Sequence, residues 1–341
     1  MAQHESNAAS RPRVREDILE PDLPIIDPHH HLWDRPGNRY LLDDFLADVR
    51  SGGHDIRASV FIECGAFYRK AASELMAPVG EVEFANGMAA MAASSLYGDT
   101  LVAAGILGTA DLRVGSNVAR VLDAEIAAAG GRMRGIRFIA KWDADEALNT
   151  GRYKPRPGLM RDRDFRAGFS MLAPRKLSFD TMIYHPQLPE LADLARAFPE
   201  TTIVVNHVGG LLAHTRTYVA RRDAAIGQWR SGLRELAGCE NVYVKLGGLG
   251  MPYLGLGADK LDVPASSEKL AALWGPYFED CIESLGPERC MFESNFPPDR
   301  ESADYAVIWN TFKRVAGRYS AGEKRALFCG TAAKAYRLDL S

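Results

Sequence analysis

Cysteine is scarce in this chain. Its 341 residues hold five (Cys64, Cys239, Cys281, Cys290 and Cys329), scattered and without a C-x-x-C pair. An odd count with no framework predicts reduced thiols and a cytoplasmic location. Long apolar runs are absent too: nothing approaches the roughly 20 residues that a membrane span needs. Neither charge sign dominates, and a net charge of −3 argues against a general role on nucleic acid or an anionic membrane. The first 17 residues are polar and lack an apolar h-region, so they do not read as a secretory signal. They read as a mobile tail over residues 1–20, ahead of one domain over residues 21–341. No G-x-G-x-x-G occurs early in the chain, and an open doubly wound sheet would need that phosphate turn.

What is present is alternation. Eight strand-like runs start near Ile25, Ala58, Leu101, Arg134, Phe179, Thr202, Asn241 and Cys290. Helical patterns separate most of them. The clearest is Leu188, Leu191, Ala192, Ala195 and Phe198, near the 3.6 period. Regular β–α alternation predicts parallel strands with right-handed crossovers. Eight units in a chain of this length predict a closed (β/α)8 barrel, the TIM barrel, as a single α/β domain.

Such a barrel carries its chemistry where its strands end. The chain has eight histidines, and four of them fall there: His29 and His31 after the first strand, His185 after the fifth, His207 after the sixth. In an extended strand His29 and His31 share a face, with Asp27 behind them and His30 opposite. Two imidazoles on one face are half of a metal site. Glu63, Arg137, Lys245 and Asn295 end the second, fourth, seventh and eighth strands. The plain alternative for any one histidine is a hydrogen-bonded structural residue.

The Asp27-x-His29-x-His31 start, His185, Asn206-His207-Val208-Gly209-Gly210 and Ser294-Asn295-Phe296-Pro297 resemble the amidohydrolase superfamily. The similarity is to its amidohydrolase-2 branch and spans about residues 22 to 338. The resemblance implies a divalent ion on His29, His31 and His185, with His207 sometimes completing the set. Zinc is expected, because imidazole suits it. The branch holds lactonases, some of which work without metal, and related branches hold metal-dependent decarboxylases of aromatic and muconate-type acids. Its members normally end strand eight on an aspartate that binds metal and takes a proton from water. Here Asn295 stands there; its amide oxygen can ligate weakly, but an amide is not a base. Binuclear members use a strand-four lysine or glutamate. Lys141 lies just past that strand end, so one metal is expected.

Three carboxylates compete for the missing role. Glu63 is strand-borne and better fixed than Asp299 in its loop, and Glu293 lies deeper on the strand. The expected catalytic set is Glu63, His207 and Asp299. A structural ion pair of Glu63 with Arg137 or Lys245 is the alternative. Arg69, Arg137, Arg152, Arg156 and Lys245 are the candidate substrate-binding cations, since guanidinium suits carboxylates. The alternative for each is a solvated charged surface. The apolar stretch from Leu249 to Leu256 suits a pocket wall or a partner subunit in a homo-oligomer. These readings point to a hydrolase that opens a carboxylate-bearing lactone or similar cyclic ester of a small acid. A decarboxylase on the same barrel is the second reading, and a non-catalytic binding barrel, suggested by Asn295, the third.

Overall fold

The structure, a computed structural model, describes residues 14–70, 73–94, 96–149, 155–254, 256, 258 and 264–339. Arg152 and Lys154 lie outside the described residues. Eight parallel strands run side by side: β1 (Ile25–His30), β4 (Ile56–Ile62), β5 (Leu101–Gly108), β6 (Met133–Ile139), β7 (Ser178–Met182), β8 (Ile203–Val205), β9 (Val242–Leu246) and β10 (Cys290–Phe292). The ends of the sheet meet where His31 N–H donates to Phe296 O at 2.8 Å, which brings the barrel close to closure. A hairpin, β2 (Trp33–Arg35) and β3 (Asn38–Tyr40), follows β1 at the mouth.

The helices cover the outside. They are α1 (Leu42–Gly52), α2 (Val79–Ala92), α3 (Ala119–Ala128), α4 (Arg163–Phe169), α5 (Leu188–Ala197), the single turn α6 (His207–Gly210), α7 (Arg222–Ala237), α8 (Ser267–Leu285), α9 (Tyr305–Val315), α10 (Ala321–Arg325) and α11 (Thr331–Tyr336). In α1, Leu42, Phe45, Leu46 and Val49 are buried at helical spacing, and Gly53 ends the helix at φ 65°. Burying side chains of that size contributes roughly 1.5–3 kcal/mol each. Among the described residues no helix is long and apolar enough to cross a membrane.

The lower barrel interior is apolar. Ile26, Val60, Ile62, Leu107, Val204 and Met291 pack there with Tyr336 of α11. Above them sit charges. Lys245 and Asp180 are fully buried and paired at 2.9 Å, and the Tyr336 hydroxyl donates to Asp180 at 2.7 Å. Glu16 accepts from Ser267 N–H at 2.7 Å and from the Asn310 amide at 3.1 Å, which ties the chain down ahead of β1.

Candidate active site

The register of β1 against β4 shifts between Asp27 and His30. That irregularity resets the two-residue alternation. Asp27 therefore does not lie behind His29 and His31, as simple alternation predicts. It accepts from Ser294 Oγ at 2.6 Å and from the Tyr305 hydroxyl of α9 at 3.0 Å. His30 stacks on Phe45 of α1 at 4.3 Å and meets Ser59 Oγ at 3.0 Å. His29 and His31 are left together, with Nε2 atoms 3.2 Å apart.

Each imidazole is oriented from behind. His31 Nδ1 lies 2.8 Å from Ile62 O. His29 Nδ1 and His207 Nδ1 lie 2.6 and 2.7 Å from the two oxygens of Glu293. Carbonyl and ionised carboxylate oxygens only accept, so these partners assign the proton to Nδ1 in all three rings. All three Nε2 atoms then carry a lone pair. Lys245 Nζ is 3.4 Å from His29 Nδ1, but it donates to Pro28 O at 2.8 Å, and the shorter Glu293 contact decides the His29 tautomer.

Electrostatics agree. Burial drives His29 and His31 well below the usual imidazole range, so both are neutral near pH 7. Burial alone would raise the Glu293 carboxyl; His207 and His29 hold it well below the usual carboxylate range. His29, His207 and Glu293 offer ligand atoms within 4.8 Å of one another. Glu293 Oε1 takes the His207 backbone N–H and Nδ1 at 3.2 and 2.7 Å, and Oε2 lies 2.6 Å from His29 Nδ1, so the carboxylate orients both imidazoles from behind.

The donor set fits a divalent ion. Two imidazole lone pairs 3.2 Å apart cannot bond each other. Tetrahedral zinc, with bonds of about 2.0–2.1 Å, spaces two nitrogens by about 3.3–3.4 Å. His185 is fully buried too. Its Nδ1 accepts from Leu212 N–H at 3.4 Å, its ring meets Tyr218 at 5.2 Å, and its Nε2 has no partner. Burial lowers it to about 4.

The remaining predicted residues divide. Glu63 and Arg137 are buried together, with Arg137 Nε 2.6 Å from Glu63 Oε1 and Nη2 on the Glu63 carbonyl. Asn295 turns back, at φ 50°, and gives its Nδ2 to Asp299 at 2.7 Å. Its Oδ1 is what it can offer a ligand. Asp299 is buried and also accepts from Gly250 N–H at 3.3 Å. Burial pushes its carboxyl well above the usual range, and Asn295 opposes that. Lys245 lies beneath the histidines, not at the mouth, which corrects the expectation of a substrate-binding cation. Arg69 and Arg156 are paired with Glu83 and Asp162 near their own loops, so the structure places both on the solvated surface. Lys141 packs between the rings of Tyr253 and Tyr184, at 4.8 and 5.6 Å.

Gly248 makes this packing possible. Its φ is 70°, and a Cβ there would lie 2.2 Å from His207 Nδ1. His207 and Val208 also have positive φ, at 55° and 51°, so the chain turns sharply just past β8 and aims the imidazole inward.

Imidazoles gathered at the strand ends of a (β/α)8 barrel, two of them against one buried carboxylate, define a class of barrel enzyme that works on small molecules. The chain belongs to the amidohydrolase family, whose model (Amidohydro_2, amidohydrolase) matches residues 26–338. It is 32% identical over 339 residues to the uncharacterized protein y4mH of Sinorhizobium fredii (strain NBRC 101917 / NGR234), covering 93% of this chain and 99% of that one. It is 29% identical over 241 residues to an L-fucono-1,5-lactonase of Burkholderia multivorans (strain ATCC 17616 / 249), covering 69% and 72%. Its fold matches that of an amidohydrolase from Burkholderia multivorans with bound zinc, at TM-score 0.69 and 24% identity over 92% of this chain and 99% of that one. A 5-carboxyvanillate decarboxylase from Sphingomonas paucimobilis shares the fold at TM-score 0.54 and 14% identity, over 93% and 100%.

Proposed function

We propose that this chain is a hydrolase that opens a lactone or similar cyclic ester of a small organic acid by attack of water at the carbonyl. The observation that carries the reading is the Glu293–His207 pair, 2.7 Å apart, beside His29 and His31. A divalent ion, zinc by the chemistry of its donors, would be held by His29 and His31 and would supply Lewis-acid polarisation of the carbonyl oxygen. His207 accepts the proton of the attacking water at Nε2. Glu293 keeps the Nδ1 proton in place and balances the imidazolium that forms, as the buried acid of a carboxylate–histidine pair does. His207 later returns that proton to the alkoxide that leaves as the ring opens.

This assignment moves the base away from Glu63. The Glu63 side chain is held by Arg137, with Nε 2.6 Å from Oε1 and Nη2 on the Glu63 carbonyl, so it is committed to a buried ion pair and not aimed at a water. Glu63 and Arg137 instead fix the ends of β4 and β6 at the mouth. The lactonase relatives support the reaction class. The zinc-bound structure, at 24% identity, supports the fold alone.

The test is a panel of five- and six-membered lactones, followed by proton release in weak buffer and by product mass. Gain of one water and release of one proton supports the reading. Carbon dioxide release from an aromatic or unsaturated acid would replace it with the decarboxylase reading. Ligand binding with no turnover across both panels would leave a binding barrel.

A further inference from the structure

Two arginines, Arg35 and Arg221, each lie on an aromatic ring that contacts a histidine at the strand ends. Arg35, in the β2–β3 hairpin, stacks on the Trp33 indole at 4.3 Å, and that indole stacks with the His31 ring at a centroid distance of 6.1 Å. Arg221, just before α7, stacks on the Tyr218 ring at 4.3 Å, and that ring meets His185 at 5.2 Å. Each set joins a guanidinium, an aromatic ring and a histidine, stacked at Trp33–His31 (27° between planes) and edge-on at Tyr218–His185 (72°). The two sets come from loops after β1 and β8.

Both aromatic rings are fixed. Trp33 Nε1 donates to Asn38 at 3.0 Å, and the Tyr218 hydroxyl donates to Asp143 at 2.6 Å. A guanidinium lying on a fixed ring has its face covered and its N–H edge free to point outward. Arg35 spends one donor on Cys64 O at 2.9 Å. Both arginines are exposed. Among the described residues neither has a carboxylate partner, whereas Arg69, Arg113, Arg137 and Arg156 each have one. An exposed guanidinium that lies on a fixed ring, has no carboxylate partner among the described residues and shares that ring with a histidine at the barrel's strand ends is suited to receive an anion.

We propose that Arg35 and Arg221 are specificity-determining residues that hold carboxylate groups of the substrate, so that the enzyme takes anionic lactones in preference to neutral ones. The proposal rests on the lactonase reading for its reaction, but its binding claim does not. The anion docks edge-on to the guanidinium, and the lactone carbonyl falls toward His29, His31 and His207. The contact is the same before and during ring opening. Losing it therefore weakens binding more than turnover.

The experiment compares a γ-lactone bearing a 5-carboxylate with the same lactone bearing a 5-carboxamide. The variants are Arg35→Met, Arg221→Met and the double change. Methionine retains an apolar stem against the ring, which limits collapse of the stack. Calorimetry with glutarate, and with neutral glutaramide, is run on the same proteins. Expected are a preference for the carboxylate of about tenfold or more, its loss through KM in the variants, and an unchanged carboxamide rate. Glutarate should bind the wild type and lose about tenfold or more in the double variant. Equal effects on both lactones, or glutarate binding that ignores both changes, overturns the proposal. If neither lactone is opened, the lactonase reading fails and glutarate alone decides: affinity lost in the double variant upholds the anion site, and affinity retained removes it.

Discussion

Glu293 bridges His29 and His207, with 2.6 and 2.7 Å from its two oxygens to their Nδ1 atoms. One carboxylate therefore sets the tautomer of two rings at once. The charge that the family's strand-eight aspartate would carry at position 295 is present two residues earlier and one layer deeper. There it acts on imidazoles from behind instead of on water directly.

Glu293→Gln tests this. A glutamine has one acceptor oxygen and no charge, so it cannot serve both rings. The change should lower kcat by about 10²–10⁴, the range of a positioned acid–base group, and should weaken metal binding by about 10–100-fold. Metal affinity is read by competition with a chromophoric chelator. Normal affinity and normal kcat together would reduce Glu293 to a packing residue.

Protein purified without chelators should hold about one equivalent of divalent metal. Cobalt introduced in its place should give an absorption spectrum that changes in His31→Ala. Metal far below one equivalent, with no response to added zinc or manganese, would assign the cluster to metal-free proton transfer.

Glu63→Gln should cost stability more than chemistry. Breaking a buried ion pair costs about 3–5 kcal/mol when one charge is left alone. Urea unfolding should show that loss most strongly in Arg137→Ala, and the double change should recover part of it. A kcat fall of about 10²–10⁴ in Glu63→Gln, with unfolding unchanged, would return the base to Glu63.

Gly248→Ala places a Cβ where His207 Nδ1 now sits, at a backbone angle that alanine resists. His207 must move by the order of an ångström, and misplacement of that size costs about 10² in rate. Steady-state kinetics on a metal-loaded variant, with its melting temperature, separate displacement from unfolding.

Folding should be linked to pH through two buried histidines. Burial lowers His30 to about 3, and burial with Lys313 lowers His54 to about 4. Between those values and 6.5 the unfolded chain binds more protons, so stability rises with pH and is lost as pH falls below 6.5. Each contributes up to about 1.4 kcal/mol per pH unit in that window. Asp27, raised to about 6 by burial, acts in the opposite sense, so the comparison is with a variant. Urea midpoints of wild type and His54→Gln at several pH values check it, and the variant should depend less steeply on pH between 6.5 and 4.

Much of this was legible in the residues. Apolar runs that end on polar groups gave eight strands and their order, and the barrel rule then gathered the strand ends. What pattern reading missed depends on contacts between distant segments. Alternation placed Asp27 with His29, and a single irregularity at Pro28 undid it. Glu293 was noticed as deep, but its partners, His29 and His207, are 264 and 86 positions away. Lys245 stood at a strand end like any mouth residue, and only Asp180 on the facing wall showed that it is buried. Arg69 and Arg156 are neutralised by nearby carboxylates that no motif marks. Arg35 and Arg221 carry no motif either; the rings beneath them single them out.

The Tyr336 hydroxyl on Asp180 sets an order of assembly. Asp180 holds Lys245, and Lys245 holds the Pro28 carbonyl next to His29. During synthesis residue 29 leaves the ribosome early and residue 336 nearly last. The first of the site histidines to be made, His29, must wait for almost the whole chain before its support is complete. A chain cut short before its last helix would lose that hydroxyl, and the Lys245–Asp180 pair beneath the site histidines would have to hold its place with one support fewer.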